Sequence, residues 1–172
     1  MASPQLGDPN FARTVVLITE HNEEGAMGIV LNRPATTTVA EAAPELERIV
    51  SAGDDLYVGG PVQPSSVIVL AEWETPDDSA VPVFDGIGFV GAGADPDELA
   101  RTVTRARVFA GFAGWSNGQL ESELERDDWI LEPAVPDDVF TSAPEELWSV
   151  VLDRKGGQYA LVARMPLDPS LN

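Results

Sequence analysis

Apolar residues in this chain come in short runs, and each run is broken by glycine, proline or acid. No run reaches the roughly 18 residues that a membrane-spanning helix needs. The core must therefore be assembled from many short elements. A chain of 172 residues can do this unaided, since that length buries roughly 70% of the surface its unfolded form exposes. It has no cysteine, so no disulfide contributes, and 44% hydrophobic against 23% charged residues excludes disorder as the dominant state.

Period and turn chemistry divide the chain into candidate elements. Residues Phe11 to Glu20 are rich in β-branched side chains and read as a strand, His21 to Gly25 as a turn, and Ala26 to Asn32 as the returning strand of a hairpin. Thr37 to Val50 has helix-like spacing interrupted at Pro44, which suggests a short turn and then a helix from about Pro44, and strands follow at Leu56 to Val58, Val67 to Trp73 and Ile87 to Gly91. Asp95-Pro-Asp-Glu98 is a helix start, with an N-cap acid and proline at the first helical position. That helix is expected to reach about Thr104, ahead of a strand from Ala106 to Ala113 and a helix from Gln119 to Arg126. A short strand at Trp129 to Leu131, a helix from Pro144 to Arg154 and a last strand from Gln158 to Met165 complete the reading. The polar stretch Glu74 to Ala80 is the expected mobile loop. Strands paired locally, with helices interspersed irregularly, make this one α+β domain spanning residues 1–172 rather than a βαβ winding. Val15, Leu17, Ile29, Leu31, Ile68, Phe89, Phe109, Leu147 and Val151 lie on the apolar phases and are the expected core. Burial of the alternate phase, Val16, Ile18 and Val30, would mean a sheet covered on both faces.

Charge excludes more than it assigns. Twenty-nine acids against ten basic residues give a net −19, a field that repels phosphate backbones and anionic lipid surfaces. The densest basic group is Arg101, Arg105 and Arg107, of which the first two share a helical face if the helix extends that far. A soluble, cytoplasmic protein that binds neither duplex DNA nor membrane is expected. The acidic pairs Asp54-Asp55, Asp77-Asp78, Asp127-Asp128 and Asp137-Asp138 read as solvated loops.

Three blocks carry a resemblance. The first is Glu20-His21-Asn22, Gly25, Gly28 and Val30-Leu31-Asn32-Arg33-Pro34; the second is Gly59-Gly60-Pro61-Val62; the third runs from Phe112 to Glu121 and is followed by Trp129. In order and spacing the chain resembles the YqgE/AlgH family of bacterial proteins from about residue 3 to 165. The resemblance implies a cytoplasmic α+β protein with a mixed bifurcated β-sheet curled toward a pseudo-barrel with flanking helices. It implies no reaction, and a regulator label attached to one namesake describes a phenotype. Relatives carry a short apolar strand just ahead of the Ser3-Pro4 position. Here only Met1 and Ala2 stand there, which leaves open whether that strand is missing or the start is late.

The chemistry in these blocks reads two ways. His21, the only histidine, can act as a general base beside Glu20 or Asn22, or it can simply complete a turn that Gly25 and Gly28 permit. Arg33 can hold an anion through two N–H groups, or pair with a nearby acid. Gly114-Trp-Ser-Asn-Gly118 matches the nucleophile-elbow pattern, yet no histidine follows Ser116, and the bland reading makes Ser116 the cap of a helix starting near Asn117. Gly86 to Gly91 matches G-x-G-x-x-G, but the helix such a site needs does not open at the third glycine, so it reads as a strand. Without cysteine, with one histidine and no calcium-type carboxylate loop, no metal or other cofactor is expected. The sequence therefore favours a binding module over an enzyme, with Glu20, His21, Asn32, Arg33, Gly59, Gly60, Trp115 and Gln119 lining one cleft. An unknown small molecule or protein would be the partner, the chain being a monomer or weak homodimer with an indirect regulatory role. The alternative is a hydrolase using His21 as base, with Ser116.

Overall fold

The computed structural model describes residues 1–51, 53–75 and 79–165. In chain order its elements are β1 (Val16–Asn22), β2 (Gly25–Val30), β3 (Pro34–Thr38), α1 (Val39–Ala42), β4 (Asp55–Val58), β5 (Val62–Trp73), β6 (Ala80–Phe84) and β7 (Ile87–Val90). They continue with α2 (Pro96–Thr102), β8 (Val103–Ser116), α3 (Gln119–Glu125), α4 (Pro136–Val139), α5 (Leu147–Lys155) and α6 (Tyr159–Ala163). The architecture is α+β, with one mixed sheet nearly closed into a barrel and helices against it.

The 14-residue β8 is the axis. Along one edge it runs antiparallel to β5, from Val62↔Phe112 to Trp73↔Val103. Along the other it pairs in parallel with β4 at Phe109 and Ala110, then antiparallel with β2 from Ala113 to Ser116. The sheet forks where that edge changes partner. Gly111 sits at the fork with φ +70°, a value costly for residues bearing a Cβ. The chain Gly59-Gly60 crosses it so closely that a Cβ on Gly60 would lie 2.2 Å from the Phe112 carbonyl carbon, and one on Gly59 2.3 Å from the Gly111 oxygen. Backbone hydrogen bonds fill the crossing, with Gly59 N donating to Ala110 O and Val30 N to Gly59 O.

From the fork the main path runs β1-β2-β8-β5-β7-β6, while β3 pairs β4 on the side branch. One face is filled by α5, whose Leu147, Trp148, Val151 and Leu152 meet Ile29, Leu31, Leu70 and Phe109. The other face is covered too. Val16 and Ile18 pack with Trp115 and Trp129, Val69 and Val108 pack with Val39, and Val30 is 1% exposed. Both phases of the β1–β2 hairpin are thus covered, as a curled, helix-backed sheet requires. Seven of the nine expected core residues are buried; Ile68 and Phe89 are only half-buried.

Several elements differ from the sequence reading. Residues 158–165 hold a helix, not a strand: Gly156 and Gly157 take φ +75° and +58°, ending α5, and the chain folds back with Tyr159, Val162 and Ala163 inward at helical spacing. The first strand begins at Val16 because residues 8–14 form successive turns, as in Phe11 N to Asp8 O and Thr14 N to Phe11 O. Trp129 makes a single bridge to Ala2, and Pro44–Leu46 is one 3₁₀ turn. Just before that turn α1 starts instead, on a capping box between Thr38 and Glu41. The expected helix after Asp95 stops at Thr102, so Arg105 lies on β8, away from Arg101, bound by Glu72 and Asp137. Asp138 is not solvated: it is 5% exposed in α4 and holds Arg154 through two hydrogen bonds. Ser116 does not cap α3, which starts from Gly118. Part of the expected mobile loop, residues 76–78 with the pair Asp77-Asp78, lies outside the described residues.

The fork makes a graded prediction. Gly60→Ala adds a clash to an unfavourable φ and should lower unfolding free energy by ~3 kcal/mol or more. Gly114→Ala, with 3.7 Å to the nearest atom and no left-handed φ, should cost less than about 1 kcal/mol. Urea unfolding midpoints measure both; equal effects would refute the fork's steric role.

Candidate functional site

The three sequence blocks converge, but on the fork and its flank rather than on an open cleft. The hairpin β1–β2 meets the end of β8 in register, with His21 opposite Ala26 and Ala26 opposite Trp115, then Asn22 opposite Gly25 and Gly25 opposite Ser116. Cross-strand partners share a face and successive residues alternate. His21 and Ser116 therefore project to opposite faces, on strands two spacings or about 10 Å apart. Their side chains also have separate partners. His21 Nε2 lies 2.6 Å from Glu121 Oε1 on α3, and Ser116 Oγ donates to Gln119 Oε1 at 3.2 Å. The pair is not assembled for nucleophilic chemistry.

The other expected ligand residues are mostly occupied within the chain. Asn32 accepts from Val15 N and donates to the Arg13 carbonyl, both at 2.9 Å, so its amide extends the β1–β2 ladder past its last backbone pair. Arg13 has φ +54°, and the clamp holds that left-handed residue in place. Arg33 donates to the carbonyls of Pro9 and Ala12 and secures the same loop. Gly59 and Gly60 are buried in the crossing. Glu20 Oε1 accepts from Asn22 Nδ2 and stays exposed.

Trp115 and Gln119 belong to a polar network that the sequence did not announce. Its centre is Glu123. One carboxylate oxygen accepts from the indole N–H groups of Trp115 (2.8 Å) and Trp129 (2.7 Å), and the other from Gln119 Nε2 at 3.0 Å. Phe11 stacks on Trp115 and stands edge-on to Trp129, closing the cluster. Burial disfavours the Glu123 charge, but the hydrogen bonds from Trp129, Gln119 and Trp115, with Arg126 nearby, outweigh it and hold the carboxyl below its ordinary value.

The accessible concave surface lies elsewhere. The curl brings β1 and β2, at one end of the main path, to face β6 and β7 at the other across a groove of about 580 Å³. Met27, Val67, Ile68, Val81 and Phe89 line it, and Glu20 stands among them as the one charged group. Val67 and Val81 are 46% and 54% exposed, and the groove is why Ile68 and Phe89 fall short of full burial. Of the eight expected site residues, only Glu20 reaches it. The missed residues carried a weak signal: residues 80–84 are a short continuous apolar run, but Pro82 hides a strand that proves to be an edge, where proline is tolerated. No cluster of three or more metal-ligating side chains occurs among the described residues, and no helix among them is long and apolar enough to cross a membrane.

Comparison with known proteins places this geometry. A sequence model described as AlgH-like matches residues 1–160. The chain belongs to the AlgH-like family. Its similarity to a UPF0301 protein of Thermobifida fusca is 40% identity, covering all of this chain and 92% of the relative. To one of Mycobacteroides abscessus it is 39%, covering all of this chain and 85% of the relative. Two solved structures share the fold at 32% identity. A crystal structure from Corynebacterium diphtheriae has a TM-score of 0.89, with 96% of this chain and 89% of that one covered. The solution structure of AlgH from Pseudomonas aeruginosa has a TM-score of 0.74, with 98% and 92% covered. None of these names a reaction.

The Glu123 network predicts a pH signature. A depressed folded-state pKa stabilises above the ordinary value of 4.5, and that stabilisation is lost as pH falls through the lower folded value. Glu123→Gln should destabilise by about 2 kcal/mol at neutral pH, and the difference from wild type should shrink below pH 4. Unfolding followed by tryptophan fluorescence across this range measures it.

Proposed function

We propose that this protein is a binding module whose groove between the edge strands takes an extended protein segment, with apolar residues inward and basic residues at the rim, and that any regulatory role it has is indirect. The observation that carries this is the groove: it is concave and mostly apolar, and it presents exposed valines beside one carboxylate. Glu20 and the net −19 favour a basic partner and speed its encounter. The hydrolase reading lacks support, because His21 and Ser116 are held apart by different partners.

The test uses a hexapeptide alternating valine and lysine against one alternating valine and glutamate. The first should perturb amide NMR signals of Thr19, Met27, Val67 and Val81, and weaken with added salt. Val81→Lys should reduce its affinity at least tenfold without altering the fold. Equal affinity for both peptides, or perturbations outside the groove, would sink the reading.

The module is also proposed not to bind duplex DNA. Arg105 is engaged by Glu72 and Asp137, and Arg107 donates to the carbonyls of Val139 and Thr141, which leaves Arg101 without a basic neighbour. Ordinary non-specific binders make roughly six to ten phosphate contacts. An anisotropy titration at low salt should be flat; a micromolar complex dissolved by added salt would refute this.

A further inference from the structure

The parallel pair β4–β8 holds its register only at Tyr57↔Phe109 and Val58↔Ala110. Continued backward, that register would set Asp55 opposite Arg107, but the strands part there. A cavity of about 200 Å³ occupies the gap, lined by Val39, Asp54, Asp55, Tyr57, Arg107 and Val108 among others.

Three features give this cavity a chemistry. Tyr57 is 6% exposed as a residue, but its hydroxyl is not among the fully buried side-chain atoms and makes no hydrogen bond among the described residues. A hydroxyl that keeps solvent access and holds no partner is free to donate to a ligand acceptor. Arg107 is half-buried, lies 4.3 Å over the Tyr57 ring, and spends two of its five N–H donors on the carbonyls of Val139 and Thr141. It forms no ion pair among the described residues, although this chain carries 29 acids. Asp54 and Asp55 stand exposed on the same cavity. One wall thus offers a guanidinium and a phenol and another offers two carboxylates, while Val39 and Val108, each 1% exposed, close the floor beneath them.

We propose that this cavity binds a small amphoteric molecule, an α-amino acid, with its carboxylate on Arg107 and Tyr57 and its ammonium toward Asp54 and Asp55. A simple anion would meet the two aspartates, and a simple cation would meet Arg107. Only a ligand carrying both charges satisfies both walls. The volume is below the roughly 300–1,000 Å³ of pockets for drug-sized ligands, which suits a molecule of this size. Burial lowers the Arg107 pKa, partly offset by Tyr57, Asp54 and Asp55, so the guanidinium is short of negative partners and a carboxylate would supply one.

The test is calorimetric titration of the full chain with three probes. L-valine carries both charges, isobutylamine lacks the carboxylate, and isovalerate lacks the ammonium. Valine should bind saturably, each half-ligand at least tenfold more weakly. Tyr57→Phe should weaken valine about tenfold. Asp55→Asn, at an exposed position, should weaken valine while leaving isovalerate unchanged or tighter, and thermal unfolding without ligand checks that each variant folds. Absence of saturable valine binding at millimolar concentration would overturn the proposal. So would binding that neither substitution changes, or isovalerate binding as tightly as valine, which would indicate a plain anion site. None of these outcomes bears on the groove, whose peptide test is independent.

Discussion

The whole sheet hangs on a place where two backbones touch without side chains between them. Gly59, Gly60 and Gly111 form that contact, and a Cβ on any of them would sit 2.6 Å or less from backbone atoms of the crossing chain. Because the chains can approach so closely, β8 can leave β4 and take up β2 within three residues, from Ala110 to Ala113. Without the fork, the β1–β2 hairpin would have no edge to join. Without that hairpin the sheet could not curl, and the groove would lose one wall. The three sequence blocks thus serve mainly to build a junction. Asn32 and Arg33 tie down the incoming loop, the glycines permit the crossing, and Trp115 seals its outer face.

Charge is sorted by the same architecture. Arginine forks hold the late segment of the chain against the sheet: Arg105 reaches Asp137 from β8, and Arg154 grips the buried Asp138 of α4. Positive charge is consumed in these internal clamps while the excess acid stays in water. The exterior is therefore strongly acidic, and the exceptions become informative. Arg107, which turns to carbonyls as Arg33 does but stands on a cavity, is one; Glu20, alone in an apolar groove, is another.

Much of the fold was legible in the residues. The strands β2, β5 and β7, the helix signalled by Asp95-Pro96 and the apolar stripe of α5 follow from local periodicity and capping, which act over a few residues. The errors fall where local signals compete. Tyr159 to Ala163 is a short continuous apolar run, which periodicity cannot assign to strand or helix, but two left-handed glycines ahead of it set the chain back onto α5, and packing selects the helix. The strand β6 was masked by Pro82, which only an edge position tolerates, and edge or centre is a property of the assembled sheet. The indole pair bound to Glu123 was equally hidden, since Trp115 and Trp129 come together only when α3 folds over β8.

By itself the sequence determined the element types with strong period, the family through the order and spacing of three blocks, and the sign of the surface through 29 acids against ten basic residues. Those properties are local or additive, so they survive without coordinates. The tertiary structure decided which polar groups are spent and which are available. Asn32, Arg33 and Trp115 looked like ligand residues because they are polar or aromatic near glycines, and folding gives each of them partners within the chain. The groove and the cavity arise between strands 40 to 60 residues apart in sequence, as with Met27 and Val67 or Tyr57 and Arg107. A hydrogen-bonding group's free valence depends on every neighbour that folding brings to it, and no local pattern encodes that sum.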